Sequence, residues 1–304
     1  MRILSLFDGM SCGQIALNRL GLKDYTYYAS EVDKYAIQIT QKNFPNTIQV
    51  GDVTELKSSN FKNMDLLMAG SPCQGFSFAG KQLNFNDPRS ALFFEFLRLM
   101  KEIKPRYFLL ENVRMKKEWL TVISESCGVE PYLFNSAKVS AQNRLRYYWT
   151  NIEVNKYIDD KGILLKDILE KNYQDKYKVS ESHKNRVLFA KRGKGYFYTE
   201  ESDKICTLPA SYAKHPTDAG YILESPIREK SKTVRSGGRG SYDRHEWDSV
   251  DELHWRKLTP KECERLQTVP DNYTEGVSNF QRYKMLGNGW TVDIVKHILK
   301  PLFK

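Results

Sequence analysis

Three kinds of side chain in this sequence have the type and spacing for chemistry on a bound ligand. Cys73 lies in SPCQGFSFAGKQ, after a proline and before a loop rich in glycine and serine. A cysteine becomes a nucleophile when it is exposed and its surroundings favour the thiolate. A lone cysteine is more commonly a small buried hydrophobe. That plainer reading is assigned to Cys12, Cys127, Cys206 and Cys263. Glu111 opens ENV at the end of an apolar run. It is either a structural carboxylate paired with an arginine or, desolvated in a cleft, an acid able to protonate a ring nitrogen. Arg144 and Arg146 sit two apart in QNRLR, so a strand would turn both to one face. Two guanidiniums on one face can grip a base oxygen and a phosphate, or simply make a basic surface strand.

A second set of residues suits a nucleotide-like ligand. FDGMSCG is a loose glycine-rich loop in which Gly9 and Gly13 would allow close backbone approach. Glu31 ends the next apolar run, about twenty residues on, where a carboxylate can accept from ribose hydroxyls. Asp52 ends the third run and could accept from an adenine amino group. Singly, each acid could be a helix cap or a solvated loop residue. Three ligand-type groups at three successive strand ends are harder to dismiss.

The elements that must position these groups follow from the pattern. RILSL at 2–6 reads as a short buried strand, followed by the glycine turn and an amphipathic QIALNRL. YTYYAS, TIQVGDV, DLLMAG and RYFLLENV read as further strands. DKYAIQITQKNF and RSALFFEFLRLMKEI read as helices between them. Such alternation predicts an α/β fold, a Rossmann-like, mainly parallel, doubly wound sheet. Ligands of such sheets bind beyond the carboxyl ends of the strands, where Asp8, Glu31, Asp52, Cys73 and Glu111 all fall. From 165 to 250 the chain turns polar, basic and rich in Tyr, Gly and Ser, which predicts a smaller, irregular, β-rich part. TPKECERLQ then reads as a capped helix with Thr259 at N-cap, Pro260 at N1 and Glu262 at N3. TVDIVKHILKPLF reads as an amphipathic helix returning to the first part.

Composition narrows the function classes. The 304 residues suffice for one large domain and a smaller one. Lys and Arg number 47 against 37 Asp and Glu, a net +10 that suits a polyanion such as nucleic acid or merely a soluble surface. Five cysteines, widely spaced and without a CxxC pair, argue against a disulfide framework or a zinc site and for a reducing compartment. The N-terminus meets Asp8 too early for a signal peptide, and no apolar run nears membrane-spanning length, so a cytoplasmic protein is expected.

In this order FDGMSCG, SPCQGFSFAG, ENV, QNRLR, RKLTPKECERLQTVP and MLGNGW resemble the motifs of DNA cytosine-C5 methyltransferases, over residues 1 to about 150 and again from about 255 to the end. ALFFEFLRLM, AKVSAQNRLRYYW and VSNFQRYKMLGNGWTV are also similar to the catalytic domains of the vertebrate de novo enzymes; without an attached regulatory domain the chain looks like a bacterial or phage enzyme. The resemblance implies the class I methyltransferase fold, with a catalytic and cofactor-binding domain at 1–165 completed by 280–304 and a target-recognition domain at 166–279. It implies S-adenosylmethionine as cofactor, S-adenosylhomocysteine as product, no metal, and double-stranded DNA as partner. It implies Cys73 as the nucleophile on a flipped cytosine, Glu111 as the acid at N3, Arg146 on the base and Arg144 beside Cys73 and the phosphate. Phe7, Asp8, Gly9, Gly13, Glu31, Asp52, Pro72, Leu92 and Asn288 match cofactor positions. Gln82, in a loop from Gly75 to Ser90, would fill the vacated stack. Thr233, Arg235 and Arg239 in SKTVRSGGRGS match the DNA-reading loop, for which KICTLPASYAKH at 204–215 competes. Such enzymes work as monomers in the bacterial cytoplasm, nucleoid or phage-infected host, some beside a cognate restriction endonuclease. A tRNA cytosine methyltransferase and an inactive DNA-binding regulator are the rivals. The first lacks its Cys-Phe-Thr signature here, and the second would be expected to lose Cys73, Glu111 or the arginines. Two departures stand out. GNGW replaces the usual Gly-Asn-Ser-Val, and Thr268 stands where glycine is common.

Overall fold

A computed structural model of the protein describes residues 1–71, 88–188, 196–214, 220–224 and 254–303. The first part alternates β1 (Arg2–Leu6), α1 (Cys12–Arg19), β2 (Thr26–Ser30), α2 (Lys34–Asn43), β3 (Ile48–Gln49), β4 (Leu66–Gly70), α3 (Pro88–Ile103), β5 (Tyr107–Val113), α4 (Lys117–Cys127), β6 (Tyr132–Asn135) and β7 (Leu145–Thr150). Then come α5 (Leu165–Ile168), α6 (Glu181–Leu188), β8 (Tyr196–Tyr198), β9 (Gly220–Leu223), β10 (Trp255–Lys257), α7 (Pro260–Leu266), α8 (Asn279–Asn288) and α9 (Val292–Leu299).

Seven strands form one sheet in the order β3-β2-β1-β4-β5-β7-β6. β1, β2, β3, β4 and β5 pair in parallel, while β7 runs antiparallel to both β5 and β6. The two-residue side-chain period of a strand divides the core. Ile3, Leu66, Met68, Leu109 and Tyr148 join the cluster that holds α1, α2 and α9. Their neighbours Leu4, Leu67, Ala69, Leu110 and Trp149 join the cluster of α3 and α4. Both faces are thus covered, which is why the strands read as continuous apolar runs rather than alternating ones. The doubly wound sheet is as the sequence predicts.

Two local differences have simple causes. TIQVGDV yields only a two-residue strand, because Gly51 turns the chain at φ +82° and the Asp52 carboxylate then accepts from the Thr54 N–H as the cap of a short 3₁₀ turn at Val53–Glu55. In QNRLR the regular strand begins only at Leu145; the residues before it pair instead with the 203–208 segment, through Asn143 N–H to the Ile205 carbonyl at 2.8 Å and Ile205 N–H to the Ala141 carbonyl at 2.8 Å.

The smaller sheet, β10-β9-β8, carries a parallel and an antiparallel pair. The helix expected at 259–267 has its capping box: the Thr259 hydroxyl accepts from Glu262 N–H at 3.1 Å, and the Glu262 carboxylate accepts from Thr259 N–H at 2.8 Å. Glu262, fully buried, also takes a two-pronged grip from the buried Arg256 of β10 (2.7 and 2.8 Å), tying the small sheet to α7. α9 returns to the first part: Arg19 at the end of α1 meets Asp293 at 2.6 Å. Among the described residues no helix is long and apolar enough to cross a membrane.

Candidate active site

The carboxyl ends of the strands open on one cavity of about 410 Å³. Of the residues singled out by sequence, Phe7, Asp8, Gly9, Glu31, Asp52, Leu92, Glu111, Arg144, Arg146 and Asn288 all line it. Pro72, Cys73, Gln82, Thr233, Arg235 and Arg239 lie outside the described residues. Ser71, the last described residue of the SPC segment, is on the cavity wall.

The loop after β1 is held in a shape few sequences tolerate. Phe7, Gly9 and Ser11 all have φ between +55° and +61°, and left-handed non-glycine residues of this kind gather at ligand clamps. Glu31 at the end of β2 fixes the loop: its Oε2 accepts from Gly9 N–H at 2.8 Å, while its Oε1 accepts from Val32 and Asp33 N–H, each at 2.8 Å. The Asp8 carboxylate accepts from the Ser11 hydroxyl at one oxygen and from the Tyr27 hydroxyl at 2.7 Å at the other. Burial pushes the Asp8 carboxyl up to about 6; the Ser11 and Tyr27 hydroxyls pull against it and the charge of Glu31 adds to it. Gly13 is not on the cavity wall. It lies inside α1, where an added Cβ would meet Met68 Cε at 2.6 Å and the Tyr27 hydroxyl at 2.9 Å, so its missing side chain serves helix-on-sheet packing.

Glu111 and Arg146 come from neighbouring antiparallel strands, β5 and β7, and Arg146 Nε stands 3.1 Å from Glu111 Oε1. Glu111 is only 8% exposed. Beside it, Asn112 donates to the Ser71 hydroxyl at 3.0 Å, joining the ENV strand to the chain that leads into Cys73. Arg144 lines the same cavity but is 3% exposed. Its guanidinium donates to the carbonyls of Gly287 and Gly289 at 3.2 and 3.0 Å and reaches that of Leu208 at 3.4 Å. It therefore binds the GNGW segment to the rest of the site. Both arginines line one cavity, with different partners, although only Arg146 lies on the strand.

Of the remaining cysteines, Cys12, Cys127 and Cys263 are buried and Cys206 is half-buried. Burial pushes the Cys12 and Cys127 thiols up to about 12 and raises those of Cys206 and Cys263, so none is a thiolate near neutrality.

Several wall residues were not among the ligand positions expected from the sequence. Lys284 of α8 crosses the rim to Asp33 at 2.6 Å, and Asp33 also caps α2 by accepting from Tyr35 N–H. Val32 is 69% exposed beside Glu31, an apolar residue left uncovered at the cavity. Trp290, the departure from the common valine, lines the cavity and lies so close to Gly70 that a Cβ there would meet its Nε1 at 2.7 Å. Adjacency to Glu31 points to Val32 and Asp33, and the GNGW departure points to Trp290; nothing in the sequence points to Lys284.

The strand order with one reversed strand, both faces covered, and ligand-type acids at the strand ends is the class I methyltransferase fold. The family model for C-5 cytosine-specific DNA methylases matches residues 1–304, and the chain belongs to that family. Curated relatives include the Type II methyltransferase M1.ScrFI of Lactococcus lactis subsp. cremoris, 31% identical over all of this chain and 78% of its own length. Another is the Type II methyltransferase M.HpaII of Haemophilus parainfluenzae, 29% identical over 99% of this chain and 88% of its own. Among solved structures, S. pombe Dnmt2 methyltransferase superposes with a TM-score of 0.75 at 20% identity, over 99% of each chain. The Entamoeba histolytica methyltransferase EhMeth gives 0.78 at 18% identity, over 100% of this chain and 98% of its own.

Proposed function

We propose that this chain methylates C5 of cytosine in double-stranded DNA by covalent catalysis, with S-adenosylmethionine as methyl donor. The observation that carries the reading is the Glu111–Arg146 pair, 3.1 Å apart, on the wall of the cavity that also gathers Asp8, Glu31 and Asp52.

The cavity fits an adenosyl ligand. Its volume falls within the ~300–1,000 Å³ of small-molecule sites, and it presents carboxylates at three successive strand ends together with the exposed aliphatic Val32. Asp52 spends one oxygen, Oδ1, on Thr54, and the other suits an amino group. Glu31 suits ribose hydroxyls. Phe7, Gly9, Pro72, Leu92 and Asn288 complete the contacts, and S-adenosylmethionine supplies an electrophilic methyl group there.

The protein's own residues do the rest. The target cytosine leaves the stack and enters the pocket. The Cys73 thiolate adds to C6 while the Glu111 carboxyl donates its proton to N3, so the electron pair of the C5–C6 bond becomes available at C5. Arg146 holds Glu111 in position and contacts the base; Arg144 keeps the C-terminal wall against the site. After C5 is methylated, the C5 proton passes to solvent, its electron pair re-forms the C5–C6 double bond as the Cys73 sulfur leaves as thiolate, and N3 returns its proton to Glu111.

Residues 166–279 form the target-recognition part. Arg235 and Arg239 read base edges or hold phosphates, and Thr233 belongs to the same DNA-reading loop. Gln82 fills the space of the flipped base. The likeness to Type II methyltransferases supports a role in modification, with or without a cognate endonuclease, and the enzyme acts as a monomer in the cytoplasm.

The test is tritium transfer from labelled S-adenosylmethionine to unmethylated genomic DNA and to bulk tRNA, with bisulfite sequencing of the DNA. Label in DNA, abolished in Cys73→Ala, is expected and reveals the recognition sequence. Label in tRNA alone would overturn the substrate and keep the chemistry; undiminished transfer by Cys73→Ala would overturn the mechanism.

A further inference from the structure

Behind the glycine loop lies a buried polar chain that the reaction above does not use. Ser11 is the N-cap of α1, yet its side chain makes no cap hydrogen bond. N-cap serines ordinarily accept from a backbone N–H of the first turn. Here the hydroxyl serves two other groups. Gln14 Nε2, three residues on, donates to Ser11 Oγ at 2.9 Å and to Thr47 Oγ1 at 2.7 Å. The Gln14 carbonyl oxygen accepts from the Tyr25 hydroxyl at 3.3 Å. Gln14 is 2% exposed and Ser11 is fully buried.

The donors fix the direction of every proton. Both amide hydrogens of Gln14 are spent on oxygens, so Ser11 Oγ is the acceptor in that bond. A hydroxyl has one proton, and that of Ser11 goes to the Asp8 carboxylate. The other Asp8 oxygen accepts from Tyr27. Each oxygen therefore faces an O–H donor, an arrangement satisfied by the ionised carboxylate and frustrated by a protonated one. Asp8 lines the cavity.

We infer that Gln14 and Ser11 are positioning residues that hold Asp8 as a carboxylate facing the cavity, where it binds the ammonium group of the S-adenosyl ligand. This rests on the cofactor reading above. The titratable groups that interact with Asp8 from other elements are Glu31 and Tyr27 of the β2 segment, Cys12 of α1 and Tyr273 in the segment before α8; Arg144 lines the same cavity. Cys12, Tyr27 and Tyr273 are all pushed upward by burial and stay neutral between pH 5 and 8. With Asp8 titrating at about 6, ligand affinity is lost as the pH falls through that value.

The measurement is the dissociation constant of S-adenosylhomocysteine by calorimetry from pH 5 to 8, for the wild type, Asp8→Asn, Gln14→Met and Ser11→Ala, each checked for a cooperative melt. The wild type is expected to weaken about tenfold between pH 7 and pH 5. Asp8→Asn should be flat over that range. In Gln14→Met the inflection should move up by about half a pH unit or more, since Ser11 is then no longer forced to donate to Asp8. Ser11→Ala, which removes the donor itself, should move it in the same direction and stands in if Gln14→Met does not fold. An unmoved inflection in the folded variants, or one that survives in Asp8→Asn, would overturn the relay. Folded wild-type protein that binds no S-adenosylhomocysteine at any pH would overturn the cofactor reading beneath it.

Discussion

Glu111 and Arg146 sit on different strands, yet their distance is set by one rung of an antiparallel ladder. Val113 pairs with Arg146, and Glu111 with Tyr148, so the guanidinium reaches back two residues along β5. A charge pair with side chains only 11% and 14% exposed is little screened. Its directional Nε contact cannot be reproduced by an ammonium. Arg146→Lys is therefore expected to lower the methyl-transfer kcat by about 10–100-fold and Arg146→Ala by about 10²–10⁴-fold, with S-adenosylhomocysteine affinity unchanged. Single-turnover tritium transfer beside calorimetry checks this; equal loss of cofactor binding would instead assign Arg146 to the cofactor wall.

At the scale of elements, Thr268 shows how a departure from the family pattern is accommodated. It follows α7 at φ +52°, the left-handed region that explains why glycine is common there. Its hydroxyl accepts from Asp293 N–H at 2.9 Å, in the first turn of α9. The nominal cap of that helix, Thr291, makes no cap bond, because its hydroxyl is engaged with Gln267 at 2.9 Å and Ser136 at 2.7 Å. Thr268 thus combines backbone strain with a borrowed helix cap. Thr268→Gly relieves the first and loses the second, and should change stability by less than about 1 kcal/mol. Thr268→Ala keeps the strain without the cap and should cost about 1–2 kcal/mol. Urea denaturation checks both: alanine more stable than glycine would show that the left-handed backbone costs nothing, and alanine as stable as the wild type would show that the hydroxyl contributes nothing.

At the scale of the whole molecule, the two sheets share one continuous apolar cluster that runs from Ile3 to Trp255 and Tyr221. The junction is tight at Gly287 of α8. A Cβ there would stand 2.4 Å from backbone atoms of both Pro209 and Ala210, and backbone cannot step aside as a side-chain tip can. Gly287→Ala is expected to destabilise by about 1–3 kcal/mol, read as a lower melting temperature. Gly9→Ala, with nothing within 4 Å but φ +59°, should cost only about 1 kcal/mol of strain. The net charge of +10 makes a prediction at the same scale. If about six phosphates are contacted, affinity for a DNA duplex should fall about 10³-fold between 50 and 200 mM salt. A salt-independent affinity would remove DNA as the partner.

How much of this was legible beforehand differs by element. Local chemistry settled the strands from Arg2 to Val113, the α7 capping box and the amphipathic α9, since apolar runs, Thr259-Pro260 and a 3.6-residue period act over a few residues. It also marked Asp8, Glu31, Asp52 and Glu111 as ligand-type groups at strand ends, because a parallel sheet places such ends together whatever lies between them. Tertiary structure alone decided their partners. That Arg144 clasps the Gly287 and Gly289 carbonyls while Arg146 pairs with Glu111, that Lys284 meets Asp33 from 251 residues away, and that Gln14 spends its amide on Ser11 and Thr47 all depend on long-range approach. Sequence spacing specifies which residues share an element; only the packed sheet and the returning C-terminal helices specify which donor meets which acceptor, because each buried polar group must find its partner in the space the rest of the fold leaves.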